Sequence, residues 1–376
     1  MALVRRGPSD RLRHGIRSDL LLRLQGAHGR AAELMLFSIY PTDTPEVRAD
    51  VIDQACAVAA APMLFTSLHQ PESDGLRGFA AELADAHRER GVTFCADISP
   101  LALERLGEGF DGLGRLRDGG VEMLRIDFGF APEEIRRIAR ASGCRIAVNA
   151  STATASFLDE LDGIDVVGWH NFYPRPETGI GTEFFLSQNA LFAERQSPVY
   201  AFLPGESALR APLHLGLPTL EEHRHRTAWR NYLHLRAIAP GVEIVCAEGT
   251  VRAEHLEWIA HHERTGEVTV PVSGLDPAAA FLRGAAWRLR VEDSAASFRL
   301  EGTRGSVAPD AARNADRRAA GSLQMDLDSL GRYRGEIHLM RRDLPLTGLQ
   351  AHVGEIAAPA RGIVESLRPG DTVRFV

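Results

Sequence analysis

No lysine occurs in this chain: all 43 basic residues among its 376 are arginine. Enzymes that form a Schiff base through lysine, whether aldolases or pyridoxal-phosphate enzymes, are excluded in their usual form, and so are nucleotidases built on a P-loop lysine. Arginine remains well suited to phosphate and carboxylate, which it grips through two parallel hydrogen bonds. Cysteine is scarce as well. Cys56, Cys95, Cys144 and Cys246 lie far apart in apolar surroundings without a CxxC pair, a pattern of inert buried thiols rather than of a zinc site or a disulfide framework. No apolar run approaches the roughly 18 residues that cross a bilayer, so no membrane association is expected. The formal net charge of −7 argues against a general nucleic-acid binder.

What the chain does have is length and alternation. At 376 residues it is long for a single core, and two domains are the natural expectation. Residues 1–33 are basic and spotted with leucine but lack the continuous apolar core of a secretion signal. They read as an appended, disordered leader, and the protein as cytoplasmic. From Leu34 onward short apolar runs alternate with helical segments: Met35–Tyr40, Met63–Leu68, Val92–Asp97, Met123–Asp127, Arg145–Asn149, Val166–Trp169, Val199–Leu203 and Glu243–Cys246. Continuously apolar strands joined by helices imply a parallel sheet covered on both faces. Eight such units fit a TIM-type (β/α)8 barrel over residues 34–264, an α/β fold. A doubly wound open sheet is the alternative, but no glycine fingerprint follows the first strand. Beyond Thr265 the runs become short, alternating and turn-bounded, so residues 265–376 are expected to form a small, largely antiparallel β domain.

In a parallel barrel the active site lies at the carboxyl ends of the strands. Those ends carry Tyr40, His69 with Glu72, Asp97, Asp127, Asn149, then His170, Asn171 and Tyr173, then Glu206 and Glu248. One satisfied polar loop would look similar at any single position; the regular placement, one polar group per strand, favours a convergent site. Several carboxylates facing one cavity repel when ionised, which raises at least one pKa and sets an acid beside a base. Glycoside hydrolysis needs that chemistry. Alternation along the fourth strand is taken to turn Arg125 towards the helices and away from Asp127. His223 and His225 diverge on a helix, and Ser38-Ile39-Tyr40 stands where a zinc hydrolase barrel offers HxH, so neither a metal nor another cofactor is expected.

Several segments together resemble one family. They are Ser38-Ile39-Tyr40-Pro41, Phe65-Thr66-Ser67-Leu68-His69 with Pro71-Glu72, Asp97-Ile98-Ser99-Pro100, Leu124–Phe130 and Asn149-Ala150-Ser151, with His170–Gly179 running on to Phe184-Phe185 and Asn189, and Gly216–Arg224. The chain is similar to the bacterial 6-phospho-N-acetylmuramidase family over about residues 35–376, and Arg332–Ile337 resembles the signature of its C-terminal cyclophilin-like barrel. The resemblance implies a cytosolic hydrolase of cell-wall recycling that cleaves the β-1,4 bond between N-acetylmuramic acid 6-phosphate and N-acetylglucosamine. It implies Asp127 paired with Asp97 or Glu72 as acid and base, with Glu248 as a further acidic candidate. Tyr40, His69, Asn149, His170, Asn171, Tyr173 and Glu221 would orient the sugar, and Arg175 and Arg224 would hold its phosphate or lactyl carboxylate. Arg304 and Tyr333 would add contacts from the small domain, and the substrate's own 2-acetamido group is a candidate nucleophile. Ala247-Glu248-Gly249 stands where the family has Gly-Asp after the last strand, Ala351–Gly354 replaces an Asn-containing segment of the tail, and the insertion Ala308–Ala320 is arginine-rich.

Three other readings are compatible with the residues. One is a non-catalytic phosphosugar-binding or surface protein, which the cluster of acids disfavours. Another is a hydrolase of a different phosphorylated glycoside. The third, prolyl isomerisation by the small domain, rests on fold analogy alone. A homo-oligomer is compatible with the sequence and not determined by it.

Overall fold

The computed structural model describes residues 34–68, 75–106, 109, 113–307 and 316–376. The expected leader, residues 1–33, and the candidates His69 and Glu72 lie outside the described residues.

The eight expected strands form, close to their anticipated bounds: β1 (Phe37–Ile39), β2 (Met63–Ser67), β3 (Thr93–Ile98), β4 (Val121–Ile126), β5 (Arg145–Asn149), β6 (Val166–Trp169), β7 (Val199–Leu203) and β8 (Val242–Cys246). Each pairs in parallel with the next, in the order β1 to β8. Leu36 then joins the two ends: its N–H donates to Ile244 at 2.9 Å, and its carbonyl accepts from Cys246 at 2.8 Å. A sheet whose order follows the chain and returns to its start is a barrel, which removes the open doubly wound alternative.

The connecting helices are α1 (Pro45–Val58), α2 (Leu76–Arg90), α3 (Pro100–Leu106), α4 (Leu113–Asp118), α5 (Pro132–Ser142), α6 (Ala155–Glu160), α7 (Thr182–Ala193), α8 (Ala228–Ile238) and α9 (Ala253–Thr265). Their ends follow local chemistry. Helix α5 opens on Pro132, whose missing N–H costs nothing in the first turn, and the Glu134 carboxylate accepts the Ala131 N–H at 2.7 Å. Helix α7 has no counterpart in the sequence reading. Its run TEFFLSQNALFA is apolar on more than one side, so it lacks the stripe that marks an amphipathic helix.

Inside the barrel, one residue or two per strand point inward and fill the lumen: Leu36, Phe65, Cys95, Met123, Ala147, Val167, Trp169, Tyr200, Phe202 and Val245, joined by Tyr40 and Ala247. The indole of Trp169 stacks on Tyr200 with centroids 4.2 Å apart, and Phe65 meets Phe202 edge to face at 5.0 Å. Small residues make room for the large ones. Gly168 is one, because a Cβ there would lie 3.0 Å from the Phe192 ring of α7.

The described chain divides into two compact units, one containing the residues up to Ala228 with Ala239–Ala253, the other Trp229–Ile238 with Glu254–Val376. The second unit therefore includes all but the first residue of α8 and of α9, as well as the β-rich tail. Within it the Trp229 indole donates to the Thr269 carbonyl at 2.9 Å, and Arg230 pairs with Glu365 at 3.2 Å. Its strands are β9 (Glu267–Val270), β10 (Val272–Ser273), β11 (Ala286–Arg288), β12 (Ser297–Arg299), β13 (Ser322–Asp326), β14 (Ile337–Met340), β15 (Gln350–Ile356) and β16 (Thr372–Phe375). They form a five-stranded sheet, β10-β15-β13-β14-β12, and a three-stranded sheet, β11-β16-β9. Pairing is antiparallel except between β16 and β9, which run parallel. Strand β15 escapes the sequence reading because Ala351, His352 and Gly354 are weak strand formers, and its register against β13 shifts at Leu323/Gln324.

Phe65 touches Tyr40, Trp169, Phe172 and Phe202, so its removal leaves a void that the closed barrel cannot collapse. Phe65→Ala is expected to lower unfolding stability by about 3–5 kcal/mol in urea titration. Phe184→Ala, at an exposed aromatic of α7, is expected to stay within about 0.5 kcal/mol of the wild type.

Candidate active site

Three strands in register build the centre of the site. Ser67 of β2 lies beside Asp97 of β3, and Asp97 beside Arg125 of β4. Arg125 is almost fully buried, and its Nη1 donates to Asp97 Oδ1 at 2.9 Å and to Asp127 Oδ1 at 3.2 Å. Its Nη2 donates to Asn171, and Nε and Nη2 reach the Trp169 carbonyl at 3.4 and 3.5 Å. This corrects the expectation that Arg125 turns away from Asp127. Residues one apart face opposite sides of a strand; Arg125 and Asp127 are two apart and share a face.

The aspartates differ in surroundings. Burial pushes the Asp97 carboxyl up to about 6, with the Arg125 charge opposing that rise and the Asp127 charge adding to it. Asp127 is more open, its side chain 23% exposed, and it also accepts from Asn149 Nδ2 at 3.1 Å. Asn149 is aimed by its own Oδ1, which accepts the Ser151 N–H at 3.0 Å. The aspartates line a cavity of about 300 Å³ together with Phe65, Ser67, Arg125, Asn171, Phe172, Pro174, Phe202 and Arg210.

Other expected residues stand behind this cavity. His170 is fully buried, its Nδ1 3.0 Å from Ser151 Oγ and its Nε2 2.8 Å from Asn189 Oδ1, and its pKa is lowered to about 4 chiefly by burial. Ser151 Oγ in turn accepts the Asn171 N–H at 3.0 Å, so His170 positions Asn171 instead of facing a ligand. Tyr40 is also buried, its hydroxyl donating to the Ala247 carbonyl at 2.7 Å.

Glu221 and Arg224 form a clasp. The guanidinium meets the carboxylate at 2.6 and 2.7 Å and donates to the carbonyls of Tyr173 (2.8 Å), Arg175 (3.3 Å) and Gly216 (2.9 Å). Glu221 accepts the N–H groups of Glu177 (2.9 Å) and Gly179 (2.8 Å), and Arg224 above all lowers its pKa to about 2. Gly179 suits this approach, since a Cβ there would sit 2.6 Å from Glu221 Oε2. Arg224 was expected to hold an anionic substrate group; its donors are instead committed to the loop. Arg175 and Tyr173 lie in that loop, Arg175 exposed and Tyr173 partly so. Glu206 likewise caps backbone, accepting from Ala228 and Arg252.

Glu248 departs most from expectation. It is buried and absent from the cavity lining; its Oε2 accepts the Arg210 N–H at 2.6 Å, and its Oε1 is unpartnered. Burial raises its pKa to about 7, while the N–H groups of Arg210 and Leu217 pull against that rise. Arg210, which the sequence reading passed over, lines the cavity with its guanidinium 3.9 Å above the Tyr40 ring. One arginine among 43 in an unpatterned loop carries no signal of its own. Ser67 was recoverable, because it ends β2 as Asp97 and Asn149 sit at the ends of β3 and β5.

In the second unit Arg304 pairs with Glu336 at 3.0 Å and lies 4.7 Å from the Tyr333 ring. Among the described residues one group could hold a metal, Asp326, Glu336 and His338. Arg290 and Arg304 already neutralise Glu336 there. All four cysteines are free, and burial raises the thiol pKa of Cys95, Cys144 and Cys246.

The raised acids make stability depend on pH in a defined direction. Between the ordinary value of 4.5 and about 7, folded Glu248 holds a proton that the unfolded chain releases, so stability falls as pH rises through that window. Glu248→Gln is expected to match the wild type near pH 4.5 and to exceed it at pH 8 by about 3 kcal/mol, following 1.36 kcal/mol per pKa unit. Parallel Tm–pH curves for the two proteins would rule this out.

Comparison with known proteins gives a consistent picture. The family model described as "6-phospho-N-acetylmuramidase, N-terminal" matches residues 37–261, and "6-phospho-N-acetylmuramidase, C-terminal" matches residues 277–376. A conserved Enterococcus faecalis protein of unknown function is similar in structure, with 29% identity, a TM-score of 0.76, and 91% of this chain and 96% of that one covered. An uncharacterized B. cereus protein shares the fold at 20% identity and TM-score 0.71, covering 91% of this chain and 99% of its own. No curated protein matches. With its two matches spanning both the barrel and the β-rich tail, the chain belongs to the 6-phospho-N-acetylmuramidase family, a family of glycoside hydrolases.

Proposed function

We propose that the protein hydrolyses the β-1,4 bond between N-acetylmuramic acid 6-phosphate and N-acetylglucosamine, in the cytoplasm, as a step of cell-wall recycling. The observation that carries the reading is the pair Asp97 and Asp127, held on one Arg125 nitrogen at the wall of a cavity. Family membership supports a phosphorylated sugar as the substrate class.

The pair suggests how the bond breaks. Both carboxylates contact the same nitrogen, so they stand on one side of the cavity rather than straddling a glycosidic bond with a water between them, as an inverting enzyme requires. Asp97, with its carboxyl raised to about 6, is suited to hand its proton to the departing oxygen of N-acetylglucosamine. Asp127, aimed by Asn149 and Arg125, accepts the N–H of the substrate's 2-acetamido group. The acetamido oxygen then attacks C1 as the C1–O bond breaks and forms a cyclic intermediate. Water opens that ring from the opposite face and returns a proton to Asp97, so the β configuration is retained.

Three measurements test this reading. Asp127→Asn is expected to cut kcat on the phosphorylated disaccharide by about 10²–10⁴-fold while calorimetry still detects binding; unchanged turnover would remove Asp127 from the chemistry. The pH profile of kcat/KM should fall above about 6 as free Asp97 loses its proton, and a flat profile from pH 5 to 8 would exclude Asp97 as the acid. Proton NMR should show the β anomer of N-acetylmuramic acid 6-phosphate before mutarotation, whereas first appearance of the α anomer would refute the acetamido route.

A further inference from the structure

Two guanidinium groups line the cavity, those of Arg125 and Arg210. Arg125 is occupied by Asp97, Asp127, Asn171 and the Trp169 carbonyl. The guanidinium of Arg210 makes no hydrogen bond or ion pair with any described residue, and its buried Nε is without a partner.

Its position is nonetheless set from both ends. At the backbone, the Arg210 N–H donates to Glu248 Oε2 at 2.6 Å. At the tip, the guanidinium rests 3.9 Å from the Tyr40 ring centroid and 5.7 Å from that of Phe172. Tyr40 cannot swing aside, since its hydroxyl is held by the Ala247 carbonyl and its ring packs against Phe65 and Phe172. An aromatic face attracts the cation but accepts none of its in-plane hydrogen bonds. A pre-aimed donor fork, half-buried and with its Nε lacking an acceptor, is the arrangement that binds an oxyanion bidentately.

We propose that Arg210 is the anion-reading residue of this cavity: it binds an oxyanion carried by the sugar, either the phosphate ester or the lactyl carboxylate. This deepens the proposed glycosidase reading and rests on it. The arginines that the sequence suggested for the task are less suited to it, because Arg224 is consumed by the Glu221 clasp and Arg175 is exposed in the loop. Glu248 acquires a purpose as well. It anchors the arginine through the backbone, leaving the guanidinium itself to the ligand.

The test uses the full chain with three probes: N-acetylglucosamine 6-phosphate, N-acetylmuramic acid and N-acetylglucosamine, titrated calorimetrically into the wild type, Arg210→Gln and Arg210→Lys. If Arg210 reads the phosphate, Arg210→Gln weakens the first probe by on the order of tenfold to a hundredfold; if it reads the lactyl group, the second weakens by that factor. The neutral sugar discriminates little between the proteins in either case. Arg210→Lys, which keeps the charge and loses the fork, should fall between the other two and serves where the glutamine variant fails to fold. Equal binding of both anionic sugars to all three proteins, or transfer of the loss to Arg175→Gln, would overturn the assignment. Hydrolysis is scored separately. A wild type that binds through Arg210 yet cleaves no disaccharide sinks the glycosidase reading alone. Cleavage with an Arg210→Gln specificity ratio still favouring the phosphorylated disaccharide sinks the Arg210 assignment for phosphate alone.

Discussion

A buried guanidinium at the carboxyl end of β4 organises the barrel mouth. Arg125 is almost inaccessible, and a cation so placed persists only if its hydrogen bonds are met and its charge is opposed. It meets both needs by recruiting Asp97 from β3, Asp127 from just beyond β4, Asn171 from beyond β6 and the Trp169 carbonyl. Asp127 is a neighbour along the chain, but Asp97 lies 28 residues before Arg125 and Asn171 lies 46 after it, so the strands must pair before these groups meet. The same contact that satisfies the arginine sets two carboxylates side by side, and burial, against the opposing Arg125 charge and with the Asp127 charge adding to it, raises the Asp97 carboxyl above the ordinary range. One interaction thus both neutralises a buried cation and sets two carboxylates side by side.

Around that centre the polar residues sort into those that face the cavity and those that hold the facing residues still. His170, Ser151 and Asn189 form a buried chain that aims Asn171, and Glu221 with Arg224 ties down the loop that carries Tyr173 and Arg175. Such support matters because a loop side chain left to its own rotamers seldom holds the tolerance that catalysis needs. Arg210 is placed by aromatic rings and by its backbone N–H on Glu248, so its guanidinium donates to no carboxylate. The substrate proposed here would bring its own negative charge to a cavity already holding two aspartates. On the proposed reading, Arg210, whose guanidinium donates to no acceptor, would offset that repulsion, whereas Arg125 is already balanced.

Much of the architecture was legible in the residues. Eight apolar runs alternating with helical segments specify a parallel barrel because a strand buried on both faces leaves no polar side to read. Strand ends pointed to one mouth of the barrel, and Asp97, Asp127, Asn149 and Asn171 gather there. The motifs spanning residues 35–376 carried the family, which matches over 37–261 and 277–376. Local pattern failed where shape rather than periodicity decides the element. Strand β15 contains His352 and Gly354, and α7 lacks a polar face.

The sequence by itself determined the barrel, the family and the residue types available for chemistry, because periodicity, strand-end position and the absence of lysine are properties of the chain read in order. Tertiary structure alone decided which of those residues are free to act. Arg224, Glu221, His170, Tyr40 and Glu248 are as polar on paper as Asp127, yet their groups are committed to loop backbone, to one another or to a buried pocket. Arg210 is one arginine in an unremarkable loop until folding lays it against Tyr40. The physical reason is that hydrogen-bonding capacity belongs to the residue, while what remains of it after folding depends on the partners that folding brings to it, most of them distant in the chain.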